Sequence, residues 1–249
     1  VFTGVEVTTY FPEDRCKIHI LVYGLDRVQF ETIEKLRPSI YDLRDYIRDQ
    51  RLVHSVAHAT YLVNGKLTLD HLERLFVLFD CFEGINGARP LMGNDVLCRA
   101  LASLGPGHID RLAAKHDLSP FGPDCWHKGL TGGSDDHSDL FIGRTYTSVP
   151  DARSPEEFLA RCRDKQSLPH GRHSDFQSFA YGIYKIAYLF SKTRSSALSS
   201  SLLSTINGML FDGRSLDLRN RLAITRMKLW RGGAGDDLTG MIASVLKEL

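Results

Sequence analysis

The chain reads as an α/β protein with a helical C-terminal part, and three observations predict it. From Val1 to about Glu157, short β-rich runs alternate with helical patterns. Metal-ligand-type residues gather within those runs or at their ends. Past Ser174 the apolar residues recur at helical spacing and no strand is needed. The 249 residues, 43% hydrophobic and 24% charged, suffice for one barrel-sized domain or for a domain with an appendage.

The elements follow in order. Val1–Thr9 and Cys16–Tyr23 read as strands separated by a Pro-Glu-Asp turn. Ser39 offers a helix N-cap for a helix reaching about Asp49, and Leu52–Ala57 is a strand ending at His58. Leu69, Leu72, Leu75, Phe76 and Phe79 share a helical face. A strand over Cys81–Ile85 then ends in Asn86-Gly87. Helical stretches near Asn94–Leu104 and Gly107–His116 lead through a Pro/Gly-rich linker to Gly129–Ser134. Ser154-Pro155-Glu156-Glu157 reads as a capping box with proline at the first helical position, starting a helix to about Arg163.

Ser167–Ser174 reads as a polar loop. Beyond it Phe176, Phe179, Ile183, Ile186 and Phe190 form an apolar stripe that suits core or a docking face. Ala197–Leu210, Leu216–Trp230 and Leu238–Leu249 also read as helices. Gly232-Gly233-Ala234-Gly235 lacks the preceding strand and the lysine that a phosphate loop needs, so it reads as a turn.

Composition excludes several classes. A net charge of +1 provides no long-range field to gather nucleic acid or an anionic membrane, so an anionic substrate must be recognised locally. Five widely spaced cysteines without a CxxC pair suit free thiols in a cytoplasmic setting. The longest nearly apolar run, Leu75–Phe82, is too short to span a bilayer and is interrupted by Asp80. The opening residue is valine, and a fragment or processed product is expected.

The chemistry concentrates in Gly133-Ser134-Asp135-Asp136-His137, where a carboxylate and an imidazole lie two residues apart in a glycine-softened turn. Glu6, His19 and His58 add ligands from upstream strands. Mixed carboxylate and imidazole donors suit Zn, Mn or Fe better than the oxygen-preferring Mg or Ca. Such ions hydrolyse phosphoesters without a nucleophilic side chain.

In this order, Gly4-Val5-Glu6, the His19-Ile20-Leu21-Val22-Tyr23-Gly24 run, His58 within Val56–Tyr61, Glu83-Gly84-Ile85-Asn86 and Asp135-Asp136-His137 resemble successive motifs of the PHP (polymerase and histidinol phosphatase) family of metal-dependent phosphoesterases. Ile142–Thr147 and the capped helix at Ser154 also resemble that family's passage after its last metal motif. The resemblance covers roughly residues 1–166. It implies a distorted (β/α)7 TIM-like barrel, incomplete at the N-terminus, over 1–166, with a mainly helical extension over 167–249.

The resemblance also implies roles. Glu6 would bridge two divalent ions, His19 and His58 would complete one of them, Asp135 would bind the second and His137 the third. Glu6 and Asp135 would thereby be the catalytic carboxylates. The family's usual proline after the histidine matched by His58 is Ala59 here. Its opening HxHxxxD motif lies upstream of the Gly-x-Glu strand and has no counterpart in this sequence. The expectation is therefore one complete ion site of up to three, with impaired catalysis.

Other groups have plainer readings. His54 alternates to the same side as His58 and suits a structural role or one supporting a ligand from behind. Asp136 faces away as a turn-stabilising residue. Asn86 could orient ligand or substrate or simply form the turn before Gly87, and Arg89 and Arg144 are candidate phosphate clamps. His170, Arg172 and His173 suit a solvated linker. The first function expected is hydrolysis of a small phosphorylated substrate. The rivals are a noncatalytic module joined to a partner domain, such as a glycosyltransferase, through the C-terminal helices, and C–N hydrolysis of the amidohydrolase type.

Overall fold

The computed structural model describes residues 1–194, with side chains to 189. The helices expected over 197–210, 216–230 and 238–249, and the turn at 232–235, lie outside the described residues. Two compact units divide the chain. Val1–Asp136 with Phe141–Asp175 form the first, and the second takes His137–Leu140 and the chain from Phe176. The first unit thus runs past the expected boundary at 166.

Five strands form one mixed sheet in chain order: β1 (Gly4–Tyr10), β2 (Lys17–Tyr23), β3 (Val53–Val56), β4 (Cys81–Asn86) and β5 (Gly129–Gly133). β1, β2 and β3 pair antiparallel, whereas β3, β4 and β5 run parallel. A second, two-stranded sheet pairs β6 (Thr145–Ser148) with β7 (Leu168–Gly171). Among the described residues the strands do not close into a barrel; the fold is a mixed α/β sheet with seven helices.

Helices supply the crossovers. α1 (Arg27–Leu36) and α2 (Ile40–Asp49) join β2 to β3, α3 (Leu69–Leu78) joins β3 to β4, and α4 (Leu91–Ala102) and α5 (Pro106–His116) join β4 to β5. Their starts follow local chemistry. Ser39 caps α2 as expected, accepting from Asp42 N, and Asp26 with Gln29 forms a full capping box on α1, an element absent from the sequence reading. α6 (Pro155–Arg163) begins at Ser154, whose hydroxyl accepts from Glu157 N. The Glu157 carboxylate instead accepts from Arg153 N, one residue before the cap, at 2.9 Å, so the expected reciprocal box is not made.

Alternation along the strands divides the sheet into two unlike faces. Val7, Ile18, Ile20, Val22, Val56 and Phe82 pack with Ile33, Leu43, Ile47, Leu75 and Phe79 of the helices and their ends in one hydrophobic core. The opposite face carries Glu6, His19, Ser55, Glu83 and Thr131, as the registers Glu6↔Leu21↔Ser55 and Glu83↔Thr131 require. Ser55 and Thr131 join across it, Oγ to Oγ1 at 2.7 Å. The first face holds the fold together and the second is polar.

The segment expected as a polar loop contains β7, which pairs with β6 from Ser148↔Leu168 to Thr145↔Gly171. Gly171 has a φ of +116°, and a side chain there would strike the Arg144 carbonyl, so only glycine fits. Ser174 N donates to Arg89 O at 2.9 Å and ties the end of this segment to the β4–α4 loop. In the second unit, α7 (Phe176–Arg194) bears the apolar stripe, but Phe176 and Phe179 are exposed. That end of the stripe is therefore not core. All five cysteines are free thiols. No described helix is long and apolar enough to cross a membrane.

Candidate metal centre

Glu6, His19 and His58 come together. Glu6 stands on β1 opposite Leu21, and His19 on β2 opposite Thr8, so the two are diagonal neighbours on the polar face. His58 follows β3 in a tight turn with φ +29°, and Tyr61 N closes the turn on His58 O at 2.8 Å. The Glu6 Oε1 lies 2.6 Å from His19 Nδ1 and 3.7 Å from His58 Nε2. One ligand atom from each of the three residues falls within a 4.8 Å cluster.

These spacings suit one ion. Donors about 2.1 Å from a tetrahedral or octahedral centre lie roughly 3.0–3.4 Å apart, and the two contacts bracket that range. The His19 and His58 rings hold the Glu6 carboxyl well below the usual carboxylate range, against the opposing effect of burial, so it is anionic. His19 Nδ1 is buried and faces the Glu6 carboxylate. Zn, Mn or Fe match this carboxylate and imidazole set.

Asp135 and His137 are not among these three clustered donors. Asp135 stands just past β5 with φ +46°, where its Oδ2 accepts from Asn86 Nδ2 at 3.1 Å and from Arg89 Nη2 at 3.3 Å. His137 belongs to the second unit. Asp136 accepts from Phe141 N at 2.8 Å, the turn-stabilising role expected of it.

Asn86 makes the expected turn and also reaches two carboxylates through one side chain. Its Oδ1 accepts from Ala88 N at 3.0 Å to form the turn, while Nδ2 donates to Glu83 Oε2 at 2.8 Å as well as to Asp135. With both amide hydrogens engaged, Asn86 orients carboxylates and has no donor left for a substrate. The Arg89 guanidinium lies 3.5 Å over the Tyr61 ring, and Tyr61 meets the His58 ring edge-on with centroids 5.6 Å apart. This stack leads from His58 of the donor cluster to a cation. Arg144 lies over Phe141 at 5.1 Å and faces Asp175 at 3.9 Å.

Glu83 is the group that sequence reasoning left without a role. It is 2% exposed, and burial pushes its carboxyl up to about 7 although the Asn86 and His58 hydrogen bonds oppose the shift. Its Oε2 accepts from His58 N at 2.9 Å. The Tyr23 hydroxyl, on the same face, is pushed far up by burial and then by the negative charge of Glu83. Elsewhere, Asp70, Glu73 and His116 also cluster, but the Lys115 ammonium lies 3.0 Å from Asp70 and 2.6 Å from Glu73. That cluster already has its cation and joins α3 to α5. His170, expected in a solvated linker, stacks on Tyr146, and His173 Nδ1 lies 2.8 Å from Asn94 Nδ2.

Comparison of the chain with protein-family models, with curated proteins and with solved structures finds no match.

Proposed function

We propose that this chain is a metal-dependent hydrolase of phosphoric esters built on a PHP-type, barrel-derived α/β scaffold. The observation that carries the reading is the convergence of Glu6, His19 and His58 on the polar face of the sheet. These three residues would hold one divalent Zn, Mn or Fe ion. When bound, the ion supplies Lewis acidity toward water and a phosphoryl oxygen.

The remaining steps belong to the protein. Glu6 stays anionic and offsets part of the cation's charge. Asn86 and Arg89 fix Asp135 beside the β4 end, where its carboxylate can accept a proton from water. Arg89, flat on Tyr61, offers a guanidinium edge for phosphate oxygens, and Arg144 is a second candidate. A small phosphorylated molecule is the substrate class these groups suit.

The test is direct. Protein loaded with Mn or Zn is analysed for ions per chain and assayed on phosphomonoesters, phosphodiesters and amides side by side. One ion per chain with phosphoester turnover supports the reading, and turnover of amides alone replaces it with the amidohydrolase type.

A second reading has its own observation. Asp135 is held by Asn86 and Arg89, and one complete donor trio without a resident cation is present among the described residues. A single ion held this way also suits a noncatalytic module whose metal stabilises the fold and whose helices face a partner domain. Stoichiometric metal binding with no turnover of any ester favours it.

A further inference from the structure

We infer that Glu83 is a positioning residue for the metal centre, acting through the main chain of His58 and the side chain of Asn86; this rests on the reading of His58 as a ligand. His58 stands at φ +29°, a conformation that L-residues adopt only when their surroundings hold it. What holds it on the polar face is the Glu83 carboxylate, whose Oε2 takes the His58 N–H at 2.9 Å. The same oxygen takes Asn86 Nδ2 at 2.8 Å, and Asn86 passes its other amide hydrogen to Asp135. One buried oxygen therefore sets the β3 turn that carries a ligand and the β4 end that orients Asp135.

The carboxylate is itself fixed. The pairing of Glu83 with Thr131 sets it on the polar face, the bulge between Glu83 and Ile85 brings Asn86 onto that same face, and Gly133 closes against it from β5: a Cβ added there would lie 2.5 Å from Glu83 Oε1. Glu83 is 2% exposed and no lysine or arginine pairs with it among the described residues. A buried carboxylate without a cationic partner is costly, and such groups persist where their hydrogen bonds are needed. Outer groups of this kind orient ligands and govern affinity without touching the ion.

Three variants separate position from charge. Glu83→Gln keeps an oxygen able to accept from both His58 N and Asn86. Glu83→Ala removes it, and Gly133→Ala leaves the carboxylate in place chemically but displaces it. Mn and Zn binding is measured by titration calorimetry, and hydrogen exchange of the His58 amide is followed in the metal-free protein. Expected is Glu83→Gln within about threefold of wild-type affinity, with Glu83→Ala and Gly133→Ala weaker by about 10- to 100-fold. The His58 amide should be slow to exchange in wild type and Glu83→Gln and fast in the other two.

Equal affinity across all variants overturns the inference, and so does a loss in Glu83→Gln as large as in Glu83→Ala, which would assign the effect to charge. Should Glu83→Ala not fold, Gly133→Ala and Glu83→Gln still decide between position and charge. Wild-type protein that takes up neither metal refutes the metal reading. The positioning of His58 is then judged on amide exchange alone, where equal protection in every folded variant refutes it.

Discussion

Glu6 and His19 meet across a diagonal of the β1–β2 ladder: neither lies directly opposite the other, yet Oε1 and Nδ1 are 2.6 Å apart. Antiparallel pairing brings diagonal neighbours on one face within reach of long side chains, so the contact is a product of register. A one-residue slip would send the two to opposite faces.

Glu6→Gln preserves shape and removes the charge, and His19→Ala removes a donor. Either change should lower Zn or Mn affinity by more than about 100-fold, beyond what outer groups achieve. Titration calorimetry reads this directly. In the wild type, free ion at about 100 times its Kd should stabilise the fold by about 2.7 kcal/mol, and a chelator should remove that increment. Variants that keep wild-type affinity would take both residues out of the ligand set.

His54 predicts a pH dependence. It is wholly buried against Phe79 and Phe121, and burial pushes its imidazole below the ordinary 6.5, with Asp80 opposing. The unfolded chain binds a proton below pH 6.5 that the folded chain refuses, so this contribution is present above 6.5 and is lost as pH falls toward the folded value. One proton changes stability by at most about 1.4 kcal/mol per pH unit. Glu83, raised to about 7, acts in the opposite sense over part of the same interval. The His54 contribution is therefore read as the difference between wild type and His54→Leu in urea unfolding at pH 5 and pH 7.5. The variant should be relatively more stable at pH 5, and parallel profiles would show that His54 does not titrate differently on folding.

That Glu6 and His19 share a face was legible in sequence, because strand alternation fixes which side chains lie together and both sit inside strands whose apolar partners mark the other face; their grouping with His58 was implied by the family resemblance. The same rule says nothing of Glu83, which acts through the main chain of a residue 25 positions away. No spacing rule reports that. Strand β7 lay inside a segment that read as a polar loop, where Pro169 and Gly171 weaken any strand signal; Gly171 is needed for its φ, and among the described residues the strand pairs only with β6. Helix α1 buries a single residue, Ile33, so its apolar period is faint, and the signal that could have found it was the Asp26-to-Gln29 capping box.

Lys128 closes the C-terminal end of α3. Its ammonium donates to Phe76 O at 2.5 Å and Phe79 O at 2.7 Å, satisfying carbonyls that a helix end leaves free. Lys128→Met keeps the aliphatic stem and strips the donors. With the acceptors left beside the buried Cys125, the loss should be about 1–3 kcal/mol in urea unfolding, with metal affinity unchanged. A change within about 0.5 kcal/mol would show that water replaces the ammonium without cost.

Arg89 tests the substrate side independently of the metal. Among the described residues its guanidinium makes two contacts, the flat stack on Tyr61 at 3.5 Å and the 3.3 Å pair with Asp135, and it touches none of Glu6, His19 or His58. Arg89→Lys keeps the charge but loses the planar fork that binds phosphate oxygens bidentately and stacks on an aromatic ring. If Arg89 clamps phosphate, KM for a phosphoester should rise by about tenfold, the equivalent of about 1.4 kcal/mol, while metal affinity stays at the wild-type value. Asp135 separates the alternatives: Asp135→Asn retains an acceptor for Arg89 and Asn86 but accepts a proton poorly, so it should lower kcat more than it raises KM. Were both variants to change KM and kcat together, Arg89 and Asp135 would form one structural pair that shapes the loop after β5, and the phosphate clamp would have to be sought at Arg144.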